Sequence, residues 1–268
     1  MEIGVMFWAG RDRVDQIRSL GVQCGQLGIG PAIELSRDCS DDWRAALGDF
    51  RVVTVFCAYA GESYIDMAAV DATVGFVPAS TRAARERRTL EVSDFAGSLR
   101  VPAIACHLGR IPDDRTDSDY LAVRDAVRRI CDHAAGHGQT LALETGPEPA
   151  EDLLRFLEDT GRGNLKINFD PANMILYGTG DPIEAFKILA PHVVSIHAKD
   201  GDLPPRNYPG LLGTERPLGE GSVGIEKFLE AVQQAGYDGT IHVEREIENQ
   251  AHRLRDIREA ILLLRRLT

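Results

Sequence analysis

Four ionisable residues each close a short apolar run: Leu141-Ala142-Leu143-Glu144, Ile167-Asn168-Phe169-Asp170, Ser195-Ile196-His197 and Ile241-His242-Val243-Glu244. They are separated by 26, 27 and 47 residues, so nothing local brings them together. A single polar residue at the end of a β-rich run needs no function, since it can cap a neighbouring helix or face water. Four repetitions of the same placement call for a common cause. Three carboxylates crowded together repel one another until one takes up a proton, and a divalent cation removes that conflict. Carboxylate oxygens with one imidazole suit Mn²⁺, Mg²⁺, Co²⁺ or Zn²⁺ rather than Cu(I) or an iron–sulfur cluster. Glu144, Asp170, His197 and Glu244 are therefore expected to hold one divalent metal ion. Glu246 rivals Glu244, but Glu244 directly ends the apolar run. His242 shares the parity of Glu244, which points it into the interior below the metal as a hydrogen-bonded histidine and not a ligand.

Such residues meet only if the elements carrying them end in one place. Short β-rich runs alternate with longer amphipathic ones along the whole chain. Strands are expected at Ile3–Phe7, Val22–Leu27, Val52–Cys57, Ala103–His107, Thr140–Glu144, Lys166–Phe169, Val193–His197 and Thr240–Val243. Helices are expected at about 11–20, 40–49, 80–99, 118–137, 148–160, 181–190, 224–236 and 250–267. Asp41-Asp42, Pro147 with Pro149, and Asp181-Pro182 read as helix starts, and Gly21, Gly136, Gly138, Gly161 and Gly236 as stops. Eight β–α units in series predict an α/β fold, a single (β/α)₈ barrel of the TIM type, whose strands all end on the face that carries the chemistry. A doubly wound open sheet would carry a glycine-rich phosphate turn after its first strand, and Phe7-Trp8-Ala9-Gly10-Arg11 is not one. The two long connections, 58–79 and 198–223, both follow strands and so flank the expected site. No linker, repeat or low-complexity segment divides the chain, and residues 1–268 read as one domain.

Composition narrows the partners. The 268 residues are 44% hydrophobic and 26% charged, ordinary for a globular chain. A net charge of −11 argues against nucleic acid, and no apolar run approaches the roughly 18 residues of a membrane span. The N-terminus lacks a basic region followed by an apolar block, so no signal peptide is expected. Cys24, Cys39, Cys57, Cys106 and Cys131 form no C-x-x-C pair and are expected as reduced thiols of a cytoplasmic protein.

The segments Leu143-Glu144-Thr145-Gly146, Asn168-Phe169-Asp170-Pro171-Ala172-Asn173-Met174, His197-Ala198-Lys199-Asp200-Gly201 and Val243-Glu244-Arg245-Glu246 resemble the xylose-isomerase-like sugar phosphate isomerase/epimerase superfamily. Pro217-Leu218-Gly219-Glu220-Gly221-Ser222-Val223 is similar to that family's glycine-rich segment after strand seven. Phe76-Val77-Pro78 with Thr81-Arg82, and His107-Leu108-Gly109, carry the likeness into the N-terminal half. The resemblance implies a TIM barrel with one metal on Glu144, Asp170, His197 and Glu244. It also implies a metal-dependent isomerase or epimerase of a small carbohydrate that works through an enediolate, with Glu144 and Glu244 as acid and base. A lyase of the inosose dehydratase type would use the same metal site. A phosphodiesterase like endonuclease IV would need a multi-zinc cluster with more histidines, and a non-catalytic binder is the fourth reading.

Around the quartet, His107 resembles a family position close to the substrate. Lys199 can present a cation to a hydroxyl or carboxylate, or pair with Asp200 at the surface. Trp8 can wall the sugar or simply pack, and Glu220 can order the long loop or cap a helix. Asn173 stands where several ketose epimerases of the family carry a substrate-contacting histidine; an amide still hydrogen-bonds but cannot shuttle a proton at neutral pH. Arg82, Arg110 and Arg206 are the loop candidates for a phosphate. His133, His137, His192 and His252 fall on helices or helix ends, as structural or exposed residues. Formation of a homo-oligomer is expected only by analogy with other barrels.

Overall fold

Polar strand ends can converge when parallel strands close into a ring, and they do so in the computed structural model. It describes residues 1–35 and 37–268, without the side chains of 37–39. The barrel strands are β1 (Glu2–Trp8), β2 (Cys24–Ile29), β3 (Arg51–Cys57), β4 (Ala103–His107), β5 (Thr140–Glu144), β6 (Leu165–Phe169), β7 (Val193–Ala198) and β10 (Thr240–Val243). They close in the order β1-β10-β7-β6-β5-β4-β3-β2, every pair parallel. Between β7 and β10 the chain forms an antiparallel hairpin of β8 (Asp200–Asp202) and β9 (Thr214–Arg216). The helices are α1 (Val14–Arg18), α2 (Arg37–Leu47), α3 (Met67–Thr73), α4 (Ala79–Ser98), α5 (Ser118–Gly136), α6 (Ala150–Thr160), α7 (Pro171–Tyr177), α8 (Pro182–Leu189), α9 (Ile225–Gln234) and α10 (Gln250–Leu267).

Strands apolar on both faces have two partners to satisfy. Val5, Leu27, Val55, Ile104, Leu141, Ile167, Ile196 and Ile241 are buried in the large core shared with the helices. The alternate positions Met6, Phe56, Ala105 and Ala142 form a small separate cluster. Period-two alternation along each strand thus gives one apolar layer to the helices and the other to the barrel interior. Arg253 of α10, buried, binds Asp12 Oδ1 at 2.7 Å and the Met6 carbonyl at 3.2 Å, tying the last helix to the first strand.

The sequence boundaries need a few corrections. The second strand lies two residues later than expected, and the first helix is only Val14–Arg18. α2 begins before Asp41-Asp42, which therefore lie inside the helix and do not cap it. α7 was not expected. Asp170 is its N-cap and Pro171 its first residue, so a short helix launches straight from β6. The long connection after β3 holds α3, capped by Asp66, and the one after β7 holds the hairpin. Met67 donates its backbone N–H to the Gly210 carbonyl at 2.8 Å, so these two connections touch. Cys24, Cys57, Cys106 and Cys131 are buried free thiols; the Cys39 side chain lies outside the described residues. Among the described residues no helix is long and apolar enough to cross a membrane.

Candidate active site

Glu144 is the last residue of β5, His197 lies in β7, and Asp170 and Glu244 directly follow β6 and β10. One donor atom from each lies within 4.8 Å of every other, and all four side chains are buried. His197 Nδ1 stands at the centre, 2.9 Å from Glu244 Oε2, 3.4 Å from Glu144 Oε1 and 3.8 Å from Asp170 Oδ2. These contacts are close but not aligned as hydrogen bonds, and Nδ1 has no partner. Asp170 divides its two oxygens. Oδ1 accepts the N–H groups of Ala172 at 2.8 Å and Asn173 at 3.3 Å at the start of α7, while the buried Oδ2 has no hydrogen-bond partner and lies 3.8 Å from Lys199 Nζ. Two orphaned buried donors in one ring of carboxylates fit a divalent cation, because a buried polar atom left unpaired is otherwise costly.

The barrel interior below orients this ring. The Gln26 side-chain carbonyl accepts from His197 Nε2 at 2.6 Å, which places a hydrogen on that nitrogen and leaves Nδ1 as the atom that faces the carboxylates. Gln26 in turn donates to Asn168 Oδ1 at 3.3 Å, and Ser195 Oγ donates to the same oxygen. Asn173 Nδ2 donates to Glu144 Oε1 and to the Thr145 carbonyl, each at 3.0 Å, so the residue expected to touch substrate also positions the Glu144 carboxylate. Sequence reasoning missed Gln26 and Asn168. Their signal was parity: both are polar residues at inward positions of otherwise apolar strands.

Charge is distributed unevenly around the ring. Burial opposes a charge on His197, but Glu244 and Glu144 outweigh it and hold its pKa well above the ordinary imidazole value. Lys199 is buried, with Nζ 3.3 Å from Glu244 Oε2 and 3.1 Å from Glu246 Oε2. Burial opposes its charge too, and Glu244 and Glu246 more than compensate, so it remains an ammonium. Glu244 feels burial first, yet Lys199 and His197 hold it well below the usual carboxylate range.

Above the ring opens a cavity of about 370 Å³ whose lining includes Trp8, Phe56, Tyr64, His107, Asn173 and Tyr177, together with Glu144, Lys199 and Glu244. Trp8 packs edge-on against Phe56 with centroids 6.2 Å apart, and Phe56 meets His107 at 5.2 Å. The indole can lie there because position 28 is glycine; a Cβ would fall 2.5 Å from the Trp8 ring. Trp8 therefore both walls the cavity and packs. His107 Nε2 is 4.0 Å from Glu144 Oε2.

Other expectations fare differently. Asp200 is not a surface partner of Lys199. It is buried, and its oxygens accept the backbone N–H groups of Gly201, Gly219, Gly221 and Val223 at 2.9 to 3.1 Å. It orders the loop after β7, while Glu220 is exposed. Glu215 of β9 accepts from Arg245 Nη1 at 2.8 Å and the Glu246 N–H at 3.0 Å, holding the hairpin against the cavity it lines. His242 is interior as expected, but neither ring nitrogen has a partner; burial and then the His197 charge push its pKa down to about 3. Arg82 is engaged by the Phe76 and Val77 carbonyls and Asp119, and Arg110 lies 3.6 Å from Asp71; neither lines the cavity. Glu148, not singled out from sequence, is buried with both oxygens unpartnered, and burial pushes its carboxyl up to about 7.

Residues 14–267 match the model of the xylose isomerase-like TIM barrel. The chain belongs to that family. Within it, a xylose isomerase domain protein from Planctomyces limnophilus is 40% identical, with a TM-score of 0.94 over 99% of this chain and 96% of that one. A D-tagatose 3-epimerase-like protein, 19% identical, shares the fold with a TM-score of 0.74 over 100% of this chain and 97% of that one. An inosose dehydratase from Lacticaseibacillus casei is 26% identical over 145 residues, 49% of this chain and 48% of its own length. The chain thus spans about half the length of the curated relatives first matched to this xylose isomerase-like barrel.

Proposed function

We propose that this chain is a divalent-metal-dependent isomerase or epimerase of a sugar or sugar derivative, with Glu144 and Glu244 as its proton-handling pair. The observation that carries the reading is the buried ring itself. Four donors converge, two of them carrying atoms without a hydrogen-bond partner, and two of the four, Glu144 and Glu244, open onto a cavity walled by aromatic faces. Glu144, Asp170, His197 and Glu244 would hold the ion. When bound, it supplies Lewis acidity that stabilises negative charge on a carbonyl oxygen as the neighbouring carbon loses its proton.

The chain's own residues divide the remaining work. Trp8 and Phe56 present apolar faces to a sugar ring, and Lys199 offers an ammonium to a hydroxyl or carboxylate. Glu144 and Glu244 stand on β5 and after β10, with β6 and β7 between them, so they approach a substrate from different sides of the ring. One takes the proton and the other returns one, which inverts a centre or moves a carbonyl. Lys199 keeps Glu244 ionised and therefore able to accept.

Incubating the protein with keto sugars in D₂O, with Mn²⁺, Mg²⁺, Co²⁺ or Zn²⁺ added, should place solvent deuterium beside the carbonyl of a substrate. Glu244→Gln should abolish that exchange while sugar binding persists. Absence of exchange across the panel, or full exchange in Glu244→Gln, overturns the proposal. The partial likeness to an inosose dehydratase favours, as the second reading, a dehydratase using the same ring. Loss of water to an enol or dicarbonyl product would establish it.

A further inference from the structure

On the outside of the barrel, where α4 packs against α5, a second group of metal-compatible side chains converges. Asp94 belongs to α4, His133 to the last turn of α5, and His137 follows as its C-cap. The two histidines are four residues apart and share one helix face, with ring centroids 5.4 Å apart. His133 Nε2 lies 2.7 Å and His137 Nε2 2.9 Å from the same oxygen, Asp94 Oδ1. Close packing holds the His137 ring in place, since a Cβ at Gly97 of α4 would fall 2.8 Å from its Nδ1. All three side chains remain open to solvent.

We propose that Asp94, His133 and His137 form a second metal site, for a divalent transition ion of the zinc class, that clamps the end of α5 to α4. Two imidazoles and a carboxylate supply three ligands, and water takes the fourth tetrahedral place. Histidines at i and i+4 are a spacing that two-point chelation by a helix requires. Bonds of 2.0–2.2 Å place tetrahedral ligands about 3.3 Å apart, so each imidazole need withdraw from Asp94 by only a few tenths of an ångström. The pair sits at the C-terminal end of α5, the helix end that favours a cation.

The two sites differ in taste. Three carboxylates and one imidazole in the barrel accept Mg²⁺ or Mn²⁺, whereas the imidazole-rich surface group selects zinc-like ions and leaves Mg²⁺ in water. The surface group shares no residue with the cavity above the barrel ring, so its ion staples α5 to α4 apart from that site. An ion that binds only the folded chain stabilises it by mass action.

The test uses the full chain in excess Mg²⁺, titrated with Zn²⁺ alone. Zinc retained after desalting is counted by elemental analysis, and thermal unfolding is followed in parallel. The wild type should retain one zinc per chain more than His133→Gln/His137→Gln, and should show a zinc-dependent rise in Tm that the double variant lacks. Asp94→Asn should weaken the same binding about tenfold. Equal zinc counts and equal Tm shifts in wild type and double variant overturn the proposal. The readout is a difference between two proteins with the same barrel ring, so it does not depend on how that ring is loaded.

Discussion

Loading the barrel ring should release a proton, because His197 cannot be both imidazolium and ligand. Without metal, the carboxylates of Glu244 and Glu144 hold its pKa well above the ordinary value against the cost of burial, so the ring is charged at pH 7. A metal requires the Nδ1 lone pair while Nε2–H stays with Gln26. About one proton should therefore leave per ion bound at pH 7. Below the His197 pKa, affinity should rise about tenfold per pH unit, or about 1.4 kcal/mol. Calorimetric titrations with Mn²⁺ at pH 7 in two buffers of different ionisation enthalpy measure this directly. The apparent binding enthalpies should differ by that ionisation difference times about one. Identical enthalpies would show His197 neutral before binding and refute the charge balance drawn here. The same sign governs the metal-free protein. A raised pKa contributes stability that is complete below about pH 6.5 and lost as pH rises through the folded-state value, so metal-free chain should weaken towards alkaline pH.

Gln26→Leu removes the acceptor that fixes the His197 tautomer and should cost 10- to 100-fold in metal affinity, roughly 1.4–2.8 kcal/mol, by competition with a chelator; unchanged affinity would contradict the orienting role. His242, pushed down to about 3, stays neutral in the fold while the unfolded chain protonates. Its contribution is present above pH 6.5 and falls with acid, by about 2 kcal/mol between pH 6.5 and 5. Urea unfolding at both pH values should show that loss in wild type and not in His242→Met. Gly28→Ala puts a methyl 2.5 Å from the Trp8 ring and should destabilise by about 1–3 kcal/mol, with a shift in tryptophan emission; unaltered emission would mean that the indole does not depend on that space.

The sequence announces the barrel and the quartet for one reason: a charged residue ending an apolar run breaks a pattern that the rest of the strand maintains. Glu144, Asp170, His197 and Glu244 all break it at the same structural height. Gln26 and Asn168 do not, because a neutral amide inside a strand looks like tolerated polarity until its partner across the barrel is known. α7 leaves no separate mark in the sequence, since its cap, Asp170, already reads there as an expected metal ligand. Asp200 hid for the opposite reason. Beside Lys199 it reads as half of an ion pair, whereas its real partners are backbone groups 19 to 23 residues onward.

That single carboxylate has a consequence for how this protein can change. It pins the return of the loop, leaving residues 203 to 212 to run between fixed ends. Insertions or exchanges there can recast the mouth of the cavity while the ends stay moored and the donors stay on their own strands. The roof of the cavity can then be edited while the ring beneath keeps its geometry.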